Sequence, residues 1–166
     1  MPAPLDPDCL FQVLAEHEVE YVLIGGLAAV LHGSTAMTND ADIVPAADDE
    51  NMVRLGDALA ALEARLRVES DPDGVPFDPH PALLRSVAML KMTTRCGDLD
   101  LTFTPAAVGG YEELAPASST FELAGVRVKV AALDDIIRSK ESAGRAKDHA
   151  TLPILYALRE EIERQS

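Results

Sequence analysis

The sequence has few cysteines, no long hydrophobic run and a shortage of basic charge, and each shortage excludes a class of protein. Its two cysteines, Cys9 and Cys96, lie far apart without paired spacing, which indicates neither a disulfide framework nor a zinc site. We interpret them as two small hydrophobes. No apolar run approaches the roughly 20 residues of a membrane-spanning helix, and the first residues lack a basic start and an apolar signal core. We therefore expect a cytoplasmic protein without a membrane partner.

Acidic residues outnumber basic residues by 28 to 14, which gives a net charge of −14. Such a charge opposes non-specific attraction to nucleic acid or anionic lipid, so any contact with nucleic acid has to be local. One stretch suits such a contact, because it places four of the fourteen basic residues within ten positions. These residues are Arg138, Lys140, Arg145 and Lys147.

The first part of the chain alternates strand and helix patterns. This order, in 166 residues of which 48% are hydrophobic, predicts one α/β domain over residues 1–166, with a mixed β-sheet flanked by helices. The predicted elements are helices at residues 6–18, 27–31 and 48–66 and strands at residues 20–24 and 40–44.

The later part predicts two hairpins and then C-terminal helices. Residues 70–81 contain four prolines and Gly74, which predicts a surface excursion outside the sheet. The elements predicted beyond it are strands at residues 87–95, 98–104, 120–123 and 126–130 and helices at residues 133–142 and 147–164.

A glycine pair and an Asp-x-Asp strand form the most informative pattern. The buried strand ends in Gly25-Gly26, and Asp40 and Asp42 follow on the next strand. Strand side chains alternate between faces, so the two carboxylates project together while their neighbours point to the core. Like charges in one small volume repel unless a cation lies between them, and hard oxygen ligands suit Mg²⁺. The glycines allow backbone N–H groups to approach a phosphate closely, next to a helix N-terminus.

A third acid is available on a later strand. Asp98, Asp100 and Thr102 share one face of that strand. We favour Asp100 as the third metal ligand, because Asp98 directly follows a turn and can simply cap it. Three clustered carboxylates can hold two metal ions and clamp both oxygens of a phosphoryl displacement. Alternating acids on a strand are more often a solvated face, but solvation does not require the preceding glycine pair.

The ordered set Gly25-Gly26, Asp40-Ala41-Asp42 and Asp100 resembles the signature of the polymerase-β-like nucleotidyltransferase superfamily. Leu31-His32-Gly33 and the stretch from Ser139 to Asp148 are similar, more narrowly, to AbiEii/MenT-type nucleotidyltransferase toxins, which are usually encoded with an antitoxin. The resemblance covers about residues 19–156. It implies the polymerase-β-like fold with C-terminal helices.

The resemblance also implies transfer of a nucleoside monophosphate from an NTP to an acceptor hydroxyl. The narrower resemblance to the toxin subgroup implies that this acceptor is the 3′ end of a tRNA. Asp40 and Asp42 would bridge two Mg²⁺ ions, and Asp100 would hold the catalytic ion beside the attacking oxygen. Lys140 would neutralise the β- and γ-phosphates, and Gly25 and Gly26 would cradle the triphosphate.

Several other residues have more than one possible role. Arg145 and Lys147 are either acceptor contacts or a charge cluster at a helix end. Asp148 either pairs with Lys147 or caps the last helix, or it acts near the metals. We interpret His32 as a capping or packing residue. Thr38 is a candidate regulatory modification site, because a phosphate there would add negative charge beside a triphosphate site.

Two other functions remain open. The same acids could serve a nucleotidyltransferase that modifies a small molecule such as an aminoglycoside, since an acidic surface suits a cationic acceptor. A non-catalytic partner protein could keep the fold without turnover. The retention of three acids argues against that second alternative.

Overall fold

The structure is a computed structural model that describes residues 2–166. A mixed eight-stranded sheet with helices packed against it confirms the predicted α/β class, and two C-terminal helices are present. The strands are β1 (Tyr21–Ile24), β2 (Asp40–Pro45), β3 (Arg65–Val68), β4 (Asp71–Pro76), β5 (Met89–Thr94), β6 (Gly97–Thr102), β7 (Ser119–Leu123) and β8 (Val126–Val130). The helices are α1 (Pro7–Glu16), α2 (Gly25–Leu31), α3 (Asp49–Ala61), α4 (Pro81–Ser86), α5 (Tyr111–Leu114), α6 (Leu133–Ala143) and α7 (Ala146–Gln165), with a 3₁₀ turn at Ala115–Ala117.

The sheet places the two acidic strands next to each other at its centre. Its order is β4-β3-β5-β6-β2-β1-β8-β7. β2 and β6 are parallel neighbours, although more than fifty residues of chain separate Asp42 from its register partner Asp100. β1 runs antiparallel to β2 on the other side and delivers Gly25 to the same end of the sheet. The topology therefore brings the glycine pair and both acidic strands together.

The apolar faces of these strands form the core. Ala41 and Ile43, which alternate with the acids of β2, are fully buried, as are Leu99 and Leu101 on β6. Full burial of such aliphatic side chains stabilises the fold by about 1.5–3 kcal/mol for each large residue. The register of β2 and β6 is thereby fixed, since a one-residue slip would bury the acids.

Helix α3 ends earlier than the predicted position 66. Glu63 adopts a left-handed conformation with φ 55°, and the N–H of Ala64 bonds back to the carbonyl of Leu59 at 3.0 Å. This is a helix-ending turn of the kind that usually contains glycine, so the sequence carries no ordinary stop signal. Leu66, which we assigned to the helix stripe, lies instead in β3.

The proline-rich excursion predicted at residues 70–81 is also wrong in part, because it contains β4 and the start of α4. Within the described sheet β4 is an edge strand that pairs with β3 alone. Proline is tolerated on an edge, where its missing N–H removes no ladder bond. Pro72 and Pro76 therefore do not prevent the strand.

The prediction for the cysteines is wrong. Cys9 on α1 and Cys96 in the turn between β5 and β6 form a disulfide, with Cα atoms 5.7 Å apart and 87 residues of sequence separation. The N–H of Asp6 also bonds the carbonyl of Cys96 at 2.8 Å. No spacing rule connects residues that meet only when α1 packs on a distant hairpin, so the pairing is invisible in the sequence.

Within residues 2–166, every helix is too short or too polar to cross a membrane.

Candidate active site

Three carboxylates meet on one face of the central strands. Asp40 and Asp42 come from β2 and Asp100 from β6, and one oxygen of each lies within 4.8 Å of the others. Asp42 and Asp100 are direct register partners. Asp100 is buried, while Asp40 and Asp42 are half-buried. The three acids that the sequence singled out are thus brought together, and their roles remain predictions.

Gly25 forms the wall against which Asp42 packs. Its φ of +75° lies in the left-handed region, and a Cβ built on it would stand 2.3 Å from Oδ2 of Asp42. Any side chain there would displace the carboxylate. A Cβ on Gly26 would come within 3.0 Å of Oγ1 of Thr38. Beyond the predicted approach to a phosphate, Gly25 therefore makes room for the acid itself.

The acids perturb one another electrostatically. Burial, together with the neighbouring charges of Asp40 and Asp100, raises the pKa of Asp42 from 3.8 to about 7. Burial also raises the pKa of Asp100, against the opposing effect of Arg67. Burial is the largest cause of both shifts, and the neighbouring carboxylates add to it. This is the electrostatic character expected of a site for divalent cations.

The first set of cations lies on the last two helices. Lys140 at the end of α6 has Nζ 3.6 Å from Oδ1 of Asp148, and Nε of Arg145 lies 2.8 Å from Oδ2 of the same carboxylate. Asp148 is completely buried and also accepts the N–H of Arg145 at the start of α7. We call Lys140, Arg145 and Lys147 the helical flank of the acids. Of the roles left open for it, Asp148 takes that of capping α7, whereas pairing with Lys147 is wrong, because its partners are Lys140 and Arg145.

The second set of cations was missed in the sequence. Arg67 on β3 reaches across β5, with Nη2 3.0 Å from Oδ1 of Asp100 and Nη1 3.3 Å from Oδ2 of Asp98. Lys91 on β5 is the antiparallel register partner of Asp100. We call Arg67 and Lys91 the strand flank. Asp98 is committed to Arg67 and stands outside the group of three acids.

A strand signal could have revealed Arg67. The stretch Arg65-Leu66-Arg67-Val68 alternates polar and apolar residues, which is the strand period. The apolar stripe of the preceding helix continued in phase to Leu66 and concealed it. Its contact with β6 also depends on the strand order, which the sequence does not state.

These groups surround one cavity of about 580 Å³. This volume is within the range of small-molecule and cofactor sites. The cavity is bounded by the three acids and both glycines, by all three cations of the helical flank and by Lys91. Its size and lining therefore suit a nucleotide together with part of a second molecule.

The residues present fit divalent cations. Hard carboxylate oxygens of Asp40, Asp42 and Asp100 converge from two strands within 4.8 Å of one another. Arg67 pairs with Asp100 at 3.0 Å, but among residues 2–166 Asp40 and Asp42 make no ion pair, so a divalent cation would supply the positive charge that these two acids lack. Asp40, Asp42 and Asp100 are accordingly the residues that would hold Mg²⁺.

Thr38 and His32, which the sequence also singled out, both form hydrogen bonds with the backbone. The Oγ1 of Thr38 donates to the carbonyl of Asp40 at 3.0 Å and lines the cavity. The Nε2 of His32 lies 2.8 Å from the carbonyl of Ala131, and its ring contacts Phe121 edge-on. These contacts match the packing interpretation of His32.

Neither protein-family models nor curated protein sequences match this chain. Solved structures are similar across nearly its whole length. The lincosamide antibiotic adenylyltransferase LnuA, bound to lincomycin, has a TM-score of 0.56 at 15% identity, over 93% of this chain and 99% of that chain. The antibiotic-resistance factor ANT(2″)-Ia has a TM-score of 0.53 at 15% identity, over 95% and 91%.

A putative nucleotidyltransferase from Thermotoga maritima is similar to the same degree, with a TM-score of 0.54 at 14% identity over 91% of this chain and 94% of that one. At such identities the likeness shows the fold. The predicted nucleotidyltransferase fold is therefore confirmed, and the chemistry of this chain has to be argued from its own residues.

Proposed function

We propose that this protein is a nucleotidyltransferase that uses Mg²⁺ to move a nucleoside monophosphate from an NTP to an acceptor hydroxyl. The observation that carries the proposal is the convergence of Asp40, Asp42 and Asp100 opposite Gly25, inside a cavity bordered by basic side chains. In the reaction the acceptor oxygen forms a bond to the α-phosphorus while the bond to the departing pyrophosphate breaks. The proton of the acceptor hydroxyl has to leave at the same time.

The residues divide this work between them. Bound Mg²⁺ would neutralise phosphate charge and polarise the reacting oxygens. Lys140, held by the buried Asp148, points a fixed cation at the cavity where the β- and γ-phosphates would bind. Gly25 and Gly26, the first residues of α2, would offer backbone N–H groups to the triphosphate. We assign the proton of the acceptor hydroxyl to Asp100, which lines the cavity where the catalytic ion and the attacking oxygen would meet.

The finer proposal concerns the acceptor. By the subgroup resemblance we propose the 3′ end of a tRNA, which would make the protein a growth-inhibiting toxin of the cytoplasm, paired with an antitoxin protein. Arg145 and Lys147 are exposed at the cavity and supply local positive charge on an acidic molecule. Binding of RNA would then depend strongly on salt.

A second candidate is the modification of a small antibiotic-like molecule. It is supported by the likeness to LnuA and ANT(2″)-Ia, of which one was solved with lincomycin and the other with adenylyl-2″-tobramycin. The net charge of −14 would attract a cationic aminoglycoside. The two candidates share the three acids and differ in the acceptor.

Transfer of label distinguishes the candidates. The protein is incubated with Mg²⁺ and each radiolabelled NTP in turn, with total tRNA, tobramycin, lincomycin or protein extract as acceptor. We expect label on tRNA. Label on an antibiotic and not on tRNA would establish the second candidate.

Two variants control the experiment. Asp42→Ala removes one proposed metal ligand and should abolish transfer to every acceptor. Asp57→Asn removes an exposed acid of α3 outside the cavity and should leave transfer unchanged. Transfer that persists in Asp42→Ala would contradict the assignment of the metal site.

A further inference from the structure

The strand flank contains a cation, Lys91, that acts on Asp100 through space without forming an ion pair. Lys91 is exposed on β5, directly opposite Asp100 in the antiparallel ladder. Its ammonium makes no ion pair with any residue from 2 to 166. Directly opposed residues on one face lie about 4.5–5.5 Å apart at Cβ, so Lys91 stands immediately beside the third acid.

The other cation of the strand flank is fully engaged. The guanidinium of Arg67 contacts Asp98 and Asp100, and its Nη1 donates to the carbonyl of Met92 at 3.2 Å. Arg67 therefore neutralises acids of the protein itself. Lys91 lowers the pKa of Asp100 but is held in no ion pair among residues 2–166, so its ammonium can also meet charge that is brought in from outside.

The position of Lys91 relates it to the acceptor rather than to the triphosphate. Across β5, β6 and β2 the register runs Lys91, Asp100, Asp42. Lys140 and Lys147 act electrostatically on Asp42, whereas Arg67 and Lys91 act on Asp100. The acids thus separate two groups of cations. Because Lys140 takes the triphosphate and Asp100 takes the acceptor's proton under the proposed function, Lys91 borders the part of the cavity where the reacting hydroxyl would lie, and Arg145 and Lys147 are left for more distant parts of the acceptor.

An exposed apolar residue accompanies Lys91. Met89 lies two residues earlier on β5, on the same face, with 51% of its surface exposed, and it lines the cavity with Lys91. Met37 lines the same cavity with 94% exposure. Flexible thioether side chains pack well on flat rings. The acceptor side therefore offers an apolar contact next to a free cation.

We infer that Met89 and Lys91 form an acceptor subsite, in which Lys91 binds a phosphate that lies next to the reacting hydroxyl and Met89 packs on the adjoining sugar or base. The inference rests on the proposed function and narrows it to acceptors that carry phosphate. A nucleotide at the end of an RNA and a free mononucleotide share this chemistry. A polycationic aminoglycoside does not, because it would meet the ammonium of Lys91 beside Asp100.

Binding of a short RNA tests the subsite directly. The probe is a fluorescent RNA tetranucleotide with a free 3′ hydroxyl, and its twin carries a neutral methylphosphonate at the last linkage. Fluorescence anisotropy is measured without NTP, so that no transfer occurs. We expect the wild-type protein to bind the natural probe about 3- to 10-fold more tightly than its twin, since one phosphate contact is lost.

The variants locate the contact. Lys91→Gln should bind both probes equally, and its salt dependence for the natural probe should fall by about one unit of slope. Lys91→Glu should bind the natural probe more weakly than Lys91→Gln does. Arg127→Gln, which removes an exposed cation of β8 outside the cavity, should keep the wild-type preference. Equal binding of the two probes by wild type, or an unchanged preference in Lys91→Gln, would overturn the inference.

Competition then identifies the source of the phosphate. Displacement of the probe by AMP, lost in Lys91→Gln, indicates a free nucleotide, and probe binding that AMP does not displace indicates an RNA end. Tobramycin that binds wild type and Lys91→Gln equally well and displaces the natural probe would contradict the subsite. The proposed function fails separately: nucleotide transfer can be absent while the Lys91-dependent preference persists, or present while that preference is missing.

Discussion

The helical flank and the strand flank place cations on opposite sides of the same three acids, but they are built in different ways. The helical flank comes from eight consecutive positions, and a single buried carboxylate, Asp148, holds two of its three cations, Lys140 and Arg145. The strand flank comes from β3 and β5, and Arg67 is organised by the acids of the site itself. One flank is therefore rigid before any ligand arrives, whereas the other depends on the charge state of the acids.

This difference separates two tasks in the proposed reaction. A triphosphate needs fixed positive charge that does not have to reorganise, which Lys140 provides through its pairing with the buried Asp148. An acceptor has to approach an acid whose charge changes during the reaction, and the strand flank adjusts that charge. The following predictions test whether the two flanks serve different tasks. The first concerns Gly25, which packs against the acids that lie between the flanks.

Gly25→Ala should have the largest effect. The new Cβ would stand 2.3 Å from Oδ2 of Asp42, so the carboxylate must move, and misplacement by about 1 Å can cost about 10²-fold in rate. Transfer of label and binding of Mn²⁺ should both be lost. Gly125→Ala is the matched control, because Gly125 has φ +76° with nothing within 4 Å of a new Cβ. Equal losses in both variants would attribute the effect to backbone strain alone.

Reduction of the disulfide between α1 and the β5–β6 turn should lower the free energy of unfolding. The bond closes a loop across 87 residues of sequence separation, and such a crosslink stabilises a protein by about 2–4 kcal/mol. The urea midpoint should fall when reductant is added. The double variant Cys9→Ser, Cys96→Ser should have the lower urea midpoint without reductant, and reductant should not change it. A wild-type midpoint that reductant does not change would contradict the crosslink.

Arg67→Gln should change the pH dependence of transfer. Because Arg67 opposes the rise in the pKa of Asp100, its removal should raise that pKa further and move the acidic limb of kcat to higher pH. We expect the loss of kcat to be greatest at the acidic end of the profile and to disappear at high pH, where Asp100 is ionised in both proteins. Arg85→Gln removes an exposed partner of Asp49 and should leave the profile in place. An unshifted profile in Arg67→Gln would show that Arg67 does not tune Asp100.

The last prediction concerns the stability of the metal-free protein. The pKa of Asp42 is about 7 in the folded state and ordinarily 3.8, so between these values the folded protein keeps a proton that the unfolded chain has lost. This carboxyl therefore costs stability as the pH rises from about 4 to about 7. In EDTA, Asp42→Asn should lose less stability than wild type between pH 5 and pH 8. Identical losses would mean that Asp42 is not perturbed.

The contrast between the flanks also explains what the sequence could predict. The acids and glycines lie at the ends of locally recognisable strands, and Lys140 to Asp148 is one continuous stretch, so local patterns were sufficient to identify them as candidates. Arg67 and Lys91 act on Asp100 only because β3, β5 and β6 are adjacent, which is a property of strand order. The pairing of Cys9 with Cys96 is likewise a consequence of long-range packing. A left-handed turn at Glu63 without glycine hid the end of α3 and, with it, the strand that holds Arg67.

Anomalous scattering from crystals grown with Mn²⁺ and a non-hydrolysable NTP tests the central claim most directly, because it locates the cation independently of activity. We expect a peak at coordination distance from the carboxylates of Asp40, Asp42 and Asp100, with the triphosphate on the side of Lys140, and no such peak in Asp42→Ala. A peak at Asp98 instead, or none within the cavity of the wild-type protein, would contradict a metal site at these three acids.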